Sequence, residues 1–467
     1  MATRFSQRSL VLLVICVAQC IVVLDSTVVN VALPSIQADL GFSRESLQWV
    51  INAYLLAFGG FLLLGGRAAD LLGRRVVLLS GTALFTVASL VCGLSGSAGL
   101  LVGARAAQGL GAAIVSPAAL SLITSTFAEG PERNRALSIW ATIASAASAL
   151  GVLLGGVITS YLGWKWVFFV NIPVGAFVIV AGLRFLPETR DRTARSFDVL
   201  GAATVTAGLS LLVYVIVRAN SLGWTSGTTV GLFLLAVALL SFFTQVERRA
   251  KSPLLPLDVF RLRSLSAANA VQLLVGLALT GSFYFLALYL QQILGYSPLE
   301  SGAAYLPLTV GLMVAAALAA KAVARFGIRW TLAAGLLVTA ASLVMLAAVP
   351  VDGSFAADVL PATLVMAVGL GLTWIPVTIA AMQGVPKRHA GLASGLYNTS
   401  YQVGSALGLA VLSALAVSRT ASYLGDHAGR TAQAAVEGYR LAFVVSAGTT
   451  AAMALAIAVL PLFAEPD

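Results

Sequence analysis

LVLLVICVAQCIVVLDSTVVNVAL, residues Leu10 to Leu33, is the stretch on which the fold turns. Wound as a helix at 1.5 Å per residue, it is long enough to cross the roughly 30 Å hydrocarbon layer of a bilayer. Its lone carboxylate is Asp25. A charge in such a run costs several kcal/mol unless it is paired or protonated, so Asp25 reads as a proton-carrying site. The apolar core of a secretory leader spans only about 7 to 15 residues, so this longer run is read as a membrane span.

The rest of the chain has the same character. Of 467 residues, 59% are hydrophobic and 10% charged, whereas soluble domains carry about a quarter charged residues. Fourteen apolar runs of spanning length follow one another, at approximately 9–33, 46–66, 76–96, 99–125, 136–160, 166–186, 199–218, 229–246, 265–294, 302–322, 331–349, 358–382, 390–417 and 441–463. The expected fold is an all-α polytopic membrane protein with no room for a large soluble domain.

Cationic residues set the orientation, because Lys and Arg collect in cytoplasmic loops. An even number of spans puts both termini on one side. If that side is the cytoplasm, the inside loops hold Arg4 and Arg8, Arg67 to Arg75, Arg133 and Arg135, Arg184 to Arg195, Arg248 to Arg263, Lys321 to Arg329, and Lys387 with Arg388. The outside loops keep only Arg44, Lys165, Arg218, Arg419, Arg430 and Arg440, and Arg105 alone sits within a span. The formal charge of +10 is thus explained by topology and anionic lipid, with no nucleic-acid partner implied.

Several chemistries are excluded by residue type. None of the four lysines follows a glycine, so there is no Walker loop, no nucleotide partner and no direct ATP drive. The only histidines, His389 and His427, fall in loops, and Cys16, Cys20 and Cys92 lie in apolar runs. Two thiols without His or carboxylate neighbours make a poor metal site, and buried free Cys is ordinarily packing. No metal, cofactor or enzymatic activity is expected.

An internal repeat divides the chain. GRAADLLGRRVVL from Gly66 and AKAVARFGIRWTL from Ala320 align at a constant offset of 254, pairing Gly73 with Gly327 and Arg75 with Arg329. We therefore expect a six-helix bundle over 1–190, two inserted membrane helices with linkers over 191–260, and a second six-helix bundle over 261–467. Asp70 aligns with Ala324 and Arg105 with Val359, so the charged chemistry is concentrated in the first half.

Four motifs, LDSTVVNVALP (24–34), GRAADLLGRR (66–75), ARAAQGLGAAIVSPAAL (104–120) and GWKWVFFVNIPVG (163–175), together resemble the fourteen-span drug:proton antiporters of the major facilitator superfamily. The resemblance covers essentially the whole chain. It implies two six-helix bundles around a central cavity, and a plasma-membrane exporter of amphipathic drugs or antibiotics that works by alternating access. The drive would be proton entry rather than a cofactor, and a monomer is expected. It links Asp25 and Arg105 to proton coupling and substrate binding, and makes Gly66, Arg67, Asp70, Gly73, Arg74 and Arg75 the gating motif. On span 5 the family's antiporter motif falls on Gly151, Gly155 and Gly156, with Val152 where the family's proline would stand. A narrow metabolite exporter and a non-transporting membrane sensor remain as alternatives.

Depth agrees with that assignment. Asp25 lies about 13 Å and Arg105 about 12 Å below the outer boundary, counting 1.5 Å per residue from Pro34 and Ser97. They can pair or face one cavity; a permanent structural ion pair is the other reading. Gln108, Tyr284, Trp374, Asn398 and Gln402 are candidates for the substrate wall, or else serve interhelical packing and hydrogen bonding. The orientation is testable: single cysteines replacing Arg192 and Arg261 should be shielded from an impermeant thiol reagent added to intact cells, and one replacing Asp352 should react. Labelling at Arg192 or Arg261 would contradict the fourteen-span order.

Overall fold

A computed structural model describes residues 7–43, 45–127, 131–188, 199–250, 262–383 and 390–460. Every element in them is helical. In chain order these are α1 (Gln7–Leu40), α2 (Trp49–Leu72), α3 (Arg74–Gly93), α4 (Ala98–Thr126), α5 (Pro131–Tyr161), α6 (Lys165–Phe169), α7 (Asn171–Phe185), α8 (Val199–Leu222) and α9 (Gly227–Arg249). There follow α10 (Arg263–Leu288), α11 (Pro298–Ala304), α12 (Leu306–Ala347), α13 (Leu360–Met382), α14 (Ala390–Asp426) and α15 (Thr431–Val459). Eleven helical stretches among the described residues are long and apolar enough to cross a membrane, and three shorter apolar helices, Trp49–Leu62, Leu150–Tyr161 and Ala203–Ala219, accompany them. Helices satisfy their backbone hydrogen bonds internally, which is what a chain this apolar requires in lipid.

Two compact units emerge. One comprises Met1–Phe42, Trp49–Leu209 and Ala238–Leu255, and the other Ser43–Gln48, Ser210–Val237 and Pro256–Asp467. The helices α8 and α9, expected as an insert, contribute residues to both. Within each unit, contacts run through glycine. On α5, Gly151 leaves no room for a Cβ against Thr27 Oγ1, and a Cβ at Gly155 would stand 2.8 Å from Val28 O of α1. On α14, Gly404 and Gly408 press in the same way against the carbonyls of Leu273 and Leu277 on α10. Lipid tails are as apolar as Leu, so helices in a membrane associate by close backbone approach, and small residues four apart permit it.

The two units also repeat a turn. Gly73, between α2 and α3, has φ +107°, and Gly327, where α12 kinks between two spanning segments, has φ +76°. Only glycine adopts such angles without strain. Two residues on, Arg75 donates to Leu183 O at the end of α7, and Arg329 Nε donates to Ile457 O at the end of α15 at 3.1 Å. The last carbonyls of a helix lack partners and carry its negative pole, so an arginine there satisfies both needs.

The close contacts yield a stability test. Gly404→Ala should destabilise the purified protein by about 1–3 kcal/mol through overpacking. Gly425→Ala, on the same helix with nothing within 4 Å of the added carbon, should be neutral or slightly stabilising. Equal thermal midpoints for the two variants would contradict the close approach of α10 and α14.

Candidate functional site

Asp25 sits at 0% exposure in the first unit. Arg105 Nη1 donates to Asp25 Oδ2 at 2.6 Å. Gln108 Nε2 and Asn171 Nδ2 both donate to Asp25 Oδ1, at 2.7 and 2.8 Å. The carboxylate thus collects three donors from α4 and α7. An ionised carboxylate is an acceptor only, and a cage made of donors is complementary to that form.

Arg105 has partners of its own. Its Nε donates to Val50 O at 2.9 Å and its Nη1 to Gln108 Oε1 at 2.7 Å. The guanidinium lies 4.3 Å from the Tyr54 ring centroid and 5.8 Å from that of Phe168. A planar, delocalised cation suits both the aromatic faces and the forked hydrogen bonds, as a lysine ammonium would not. Tyr54 in turn donates to Val22 O at 3.4 Å, tying α2 to α1 one turn before Asp25. Ser89 on α3 closes the base of the cage, its Oγ accepting from Gln108 Nε2 at 2.7 Å and from Asn171 Nδ2 at 3.3 Å. The Cys92 thiol donates to Gln108 Oε1 at 3.7 Å.

Glycines on α4 bring these elements within reach. Gly109 lies flush against the backbone of Tyr54 on α2, and a Cβ at Gly111 would stand 2.7 Å from Phe85 N on α3. Arg105 and Gln108 are therefore delivered into a seam where three helices nearly touch. Among the described residues no group of three or more His, Cys, Asp and Glu could hold a metal.

The other expected residues are distributed as follows. Gly151, Gly155 and Gly156 lie buried on α5, the first two packed on the α1 turns next to Asp25; α5 runs unbroken through Val152. Gly66, Gly73, Arg74 and Arg75 flank the α2–α3 turn, where Glu188 packs over Gly73. The side chains of Arg67 and Asp70 lie outside the described residues, as do the loop cations at 190, 192, 195, 251, 261, 387 and 388.

In the second unit Trp374 is half-buried on α13 and Asn398 and Gln402 lie on adjacent turns of α14. These two helices meet where Thr378 Oγ1 and Tyr397 Oη lie 3.1 Å apart. Tyr284 stands apart from them. Because Leu273 and Leu277 lie against Gly404 and Gly408, Gln402 is level with the region just before Leu273, and Tyr284 is farther along α10 by about 20 Å. It is 2% exposed and packs edge-on to Phe285.

Asn171, Ser89 and Tyr54 were not anticipated from sequence, and neither was Glu247 near the end of α9, a second buried acid at 3% exposure. Asn171 did leave a signal: it is an amide inside an apolar run, where a polar side chain needs a partner.

Comparison with known proteins agrees with this architecture. Residues 15–409 match the family described as Major Facilitator Superfamily. The puromycin resistance protein of Streptomyces alboniger is 42% identical over 94% of this chain and 88% of its own length. The cephamycin export protein of Amycolatopsis lactamdurans is 39% identical over 91% and 90%, and the tetracenomycin C resistance and export protein of Streptomyces glaucescens 35% over 98% and 92%. In fold, the chain superposes on an inward-facing bacterial homologue of the lysosomal transporter Spinster with a TM-score of 0.65 at 18% identity, covering 98% of this chain and 99% of the other. An auto-inhibited peptide transporter of the POT family gives 0.69 at 17% over 96% of each. The chain is a multi-pass membrane transporter, and it belongs to the Major Facilitator Superfamily.

Proposed function

We propose that this protein is a fourteen-span, proton-coupled antiporter of the plasma membrane that exports amphipathic antibiotics, with both termini in the cytoplasm. The observation that carries the reading is the fully buried Asp25 carboxylate paired with Arg105 at 2.6 Å. The names of the relatives, given for resistance to or export of antibiotics, support the substrate class. The span count is supported by the three shorter apolar helices, which occupy the places of spans 2, 5 and 7 beside the eleven long ones.

Each residue then has a task. With Asp25 ionised, Arg105, Gln108 and Asn171 hold α1, α4 and α7 together. A proton arriving on the carboxylate cancels its attraction to Arg105, while the guanidinium keeps Val50 O, Gln108 Oε1 and the two rings. Those neutral partners keep the guanidinium hydrogen-bonded, but its charge loses its counter-ion, and that cost favours a rearrangement of the site on protonation. Alternation between a caged ionised acid and a released neutral one makes proton entry and substrate exit exclusive steps.

The driving force is adequate for one proton. Entry down about 100 mV supplies about 2.3 kcal/mol, and each pH unit adds about 1.36 kcal/mol. Exchange against a neutral compound could sustain a gradient of roughly 500-fold at one pH unit. For a monocation the voltage term cancels and about tenfold remains.

Inverted vesicles energised by an imposed pH gradient, assayed with puromycin, a cephamycin and a set of unrelated amphipathic drugs, test the reading. Wild-type protein should concentrate at least one of them, Asp25→Glu should retain part of that activity, and Asp25→Asn and Arg105→Ala should lose it at equal protein amount. Full gradient-driven uptake by Asp25→Asn would contradict proton coupling through this acid. A second reading, an exporter dedicated to a single compound, is favoured by relatives named for one antibiotic each; uptake of one panel member alone would select it.

A further inference from the structure

The segment GWKWVFFVNIPVG (163–175) contacts α1, α3 and α4. Trp164 Nε1 donates to Asp39 Oδ2 at 2.9 Å, anchoring the start of α6 to the end of α1. Phe168 lies over Arg105. Phe169 packs on α3 where Gly93 has no side chain to obstruct it. The chain stays helical through Val170, at φ −59° and ψ −26°, and Asn171 follows at 1% exposure at the start of α7. One turn on, Gly175 lies so close to Thr86 that a Cβ there would collide with its Oγ1. That hydroxyl cannot swing aside freely, because it donates to Thr82 O at 2.7 Å.

These contacts set one distance. Gly175 against Thr86 fixes the separation of α7 from α3, and one turn away the same interface carries Asn171 opposite Ser89. Asn171 Nδ2 thereby reaches Ser89 Oγ at 3.3 Å and Asp25 Oδ1 at 2.8 Å. We infer that Asn171 is a positioning residue for the Asp25 carboxylate, held in register by the Gly175–Thr86 contact, which makes α7 the element that locks α1 and α4 in the ionised state. Arg105 and Gln108 both belong to α4; Asn171 alone brings in a third helix. Separation of α7 from α3 removes a donor from Oδ1 without touching the ion pair.

The placement of Asn171 rests on geometry, and its consequence for transport rests on the proton-coupling reading; the test keeps the two apart. In infrared difference spectra of purified protein carrying ¹³C-carboxyl aspartate, the Asp25 carboxylate is the band lost in Asp25→Asn. Asn171→Leu should displace that band, and Gly175→Ala should displace it as well. Adding Thr86→Ala to Gly175→Ala relieves the collision and should return the band to its wild-type position, an outcome a merely destabilised helix would not produce. In energised inverted vesicles with radiolabelled puromycin, Asn171→Leu should lose gradient-driven uptake by about tenfold or more, the factor carried by one hydrogen bond to a charged group. A band in Asn171→Leu that coincides with wild type would overturn the assignment. A displaced band together with gradient-driven uptake surviving in Asp25→Asn would leave Asn171 in place and sink proton coupling instead.

Discussion

A fully buried carboxyl group facing an arginine and two amides is the constraint around which the first unit is arranged. Removing a buried charge's partner costs on the order of 3–5 kcal/mol, so Asp25 demands Arg105, and Arg105 demands the helices that hold it. The demand propagates outward. Gly109 and Gly111 bring α2 and α3 onto α4, Gly151 and Gly155 press α5 onto the turns of α1 that flank Asp25, and Gly175 draws α7 onto α3. Gly109, Gly111 and Gly175 lie within about one helical turn of Gln108 or Asn171, so the close approach and the donor it brings to the carboxylate belong to the same stretch of helix. Packing and electrostatics here are one problem.

The second unit shows the same carpentry without the charge. Gly404 and Gly408 on α14 repeat the role of Gly151 and Gly155, Gly327 repeats the backbone of Gly73, and Arg329 repeats the helix-end contact of Arg75. The level of α10 that packs on α14 carries no acid; its polar groups are amides and hydroxyls, such as Asn269, whose Oδ1 accepts from Ser400 Oγ at 3.0 Å. Duplication therefore preserved the geometry needed to pack helices in lipid. Among the described residues the two buried carboxylic acids, Asp25 and Glu247, both fall in the first unit.

How much of this was legible in the sequence follows from what each feature costs. Membrane spans and the repeat were legible because hydrocarbon tolerates few polar residues and a left-handed turn tolerates few residues but glycine. Asp25 and Arg105 were legible because a charge in lipid needs a partner, and helical rise placed them at one depth. Asn171 was not, because an amide can be satisfied by any nearby carbonyl and its place on the carboxylate depends on how α7 is rotated against α3. Gln108 was legible as a polar position, yet its place on the carboxylate rather than on a cavity wall depends on helix rotation. Tyr284 was grouped with Gln402 on residue type alone, and only the register of α10 against α14 separates them.

The claim at the centre is that a proton on Asp25 and substrate movement are obligatorily linked. Its most direct measurement imposes no proton gradient at all. Proteoliposomes holding a pH-sensitive dye are loaded with a compound the wild-type protein concentrates, and are diluted into compound-free buffer with the membrane potential clamped. Downhill substrate exit should drive protons into the lumen, acidifying it in wild type and leaving it unchanged in Asp25→Asn. Substrate exit from wild-type vesicles with no accompanying proton movement, or equal acidification in the variant, would contradict the account.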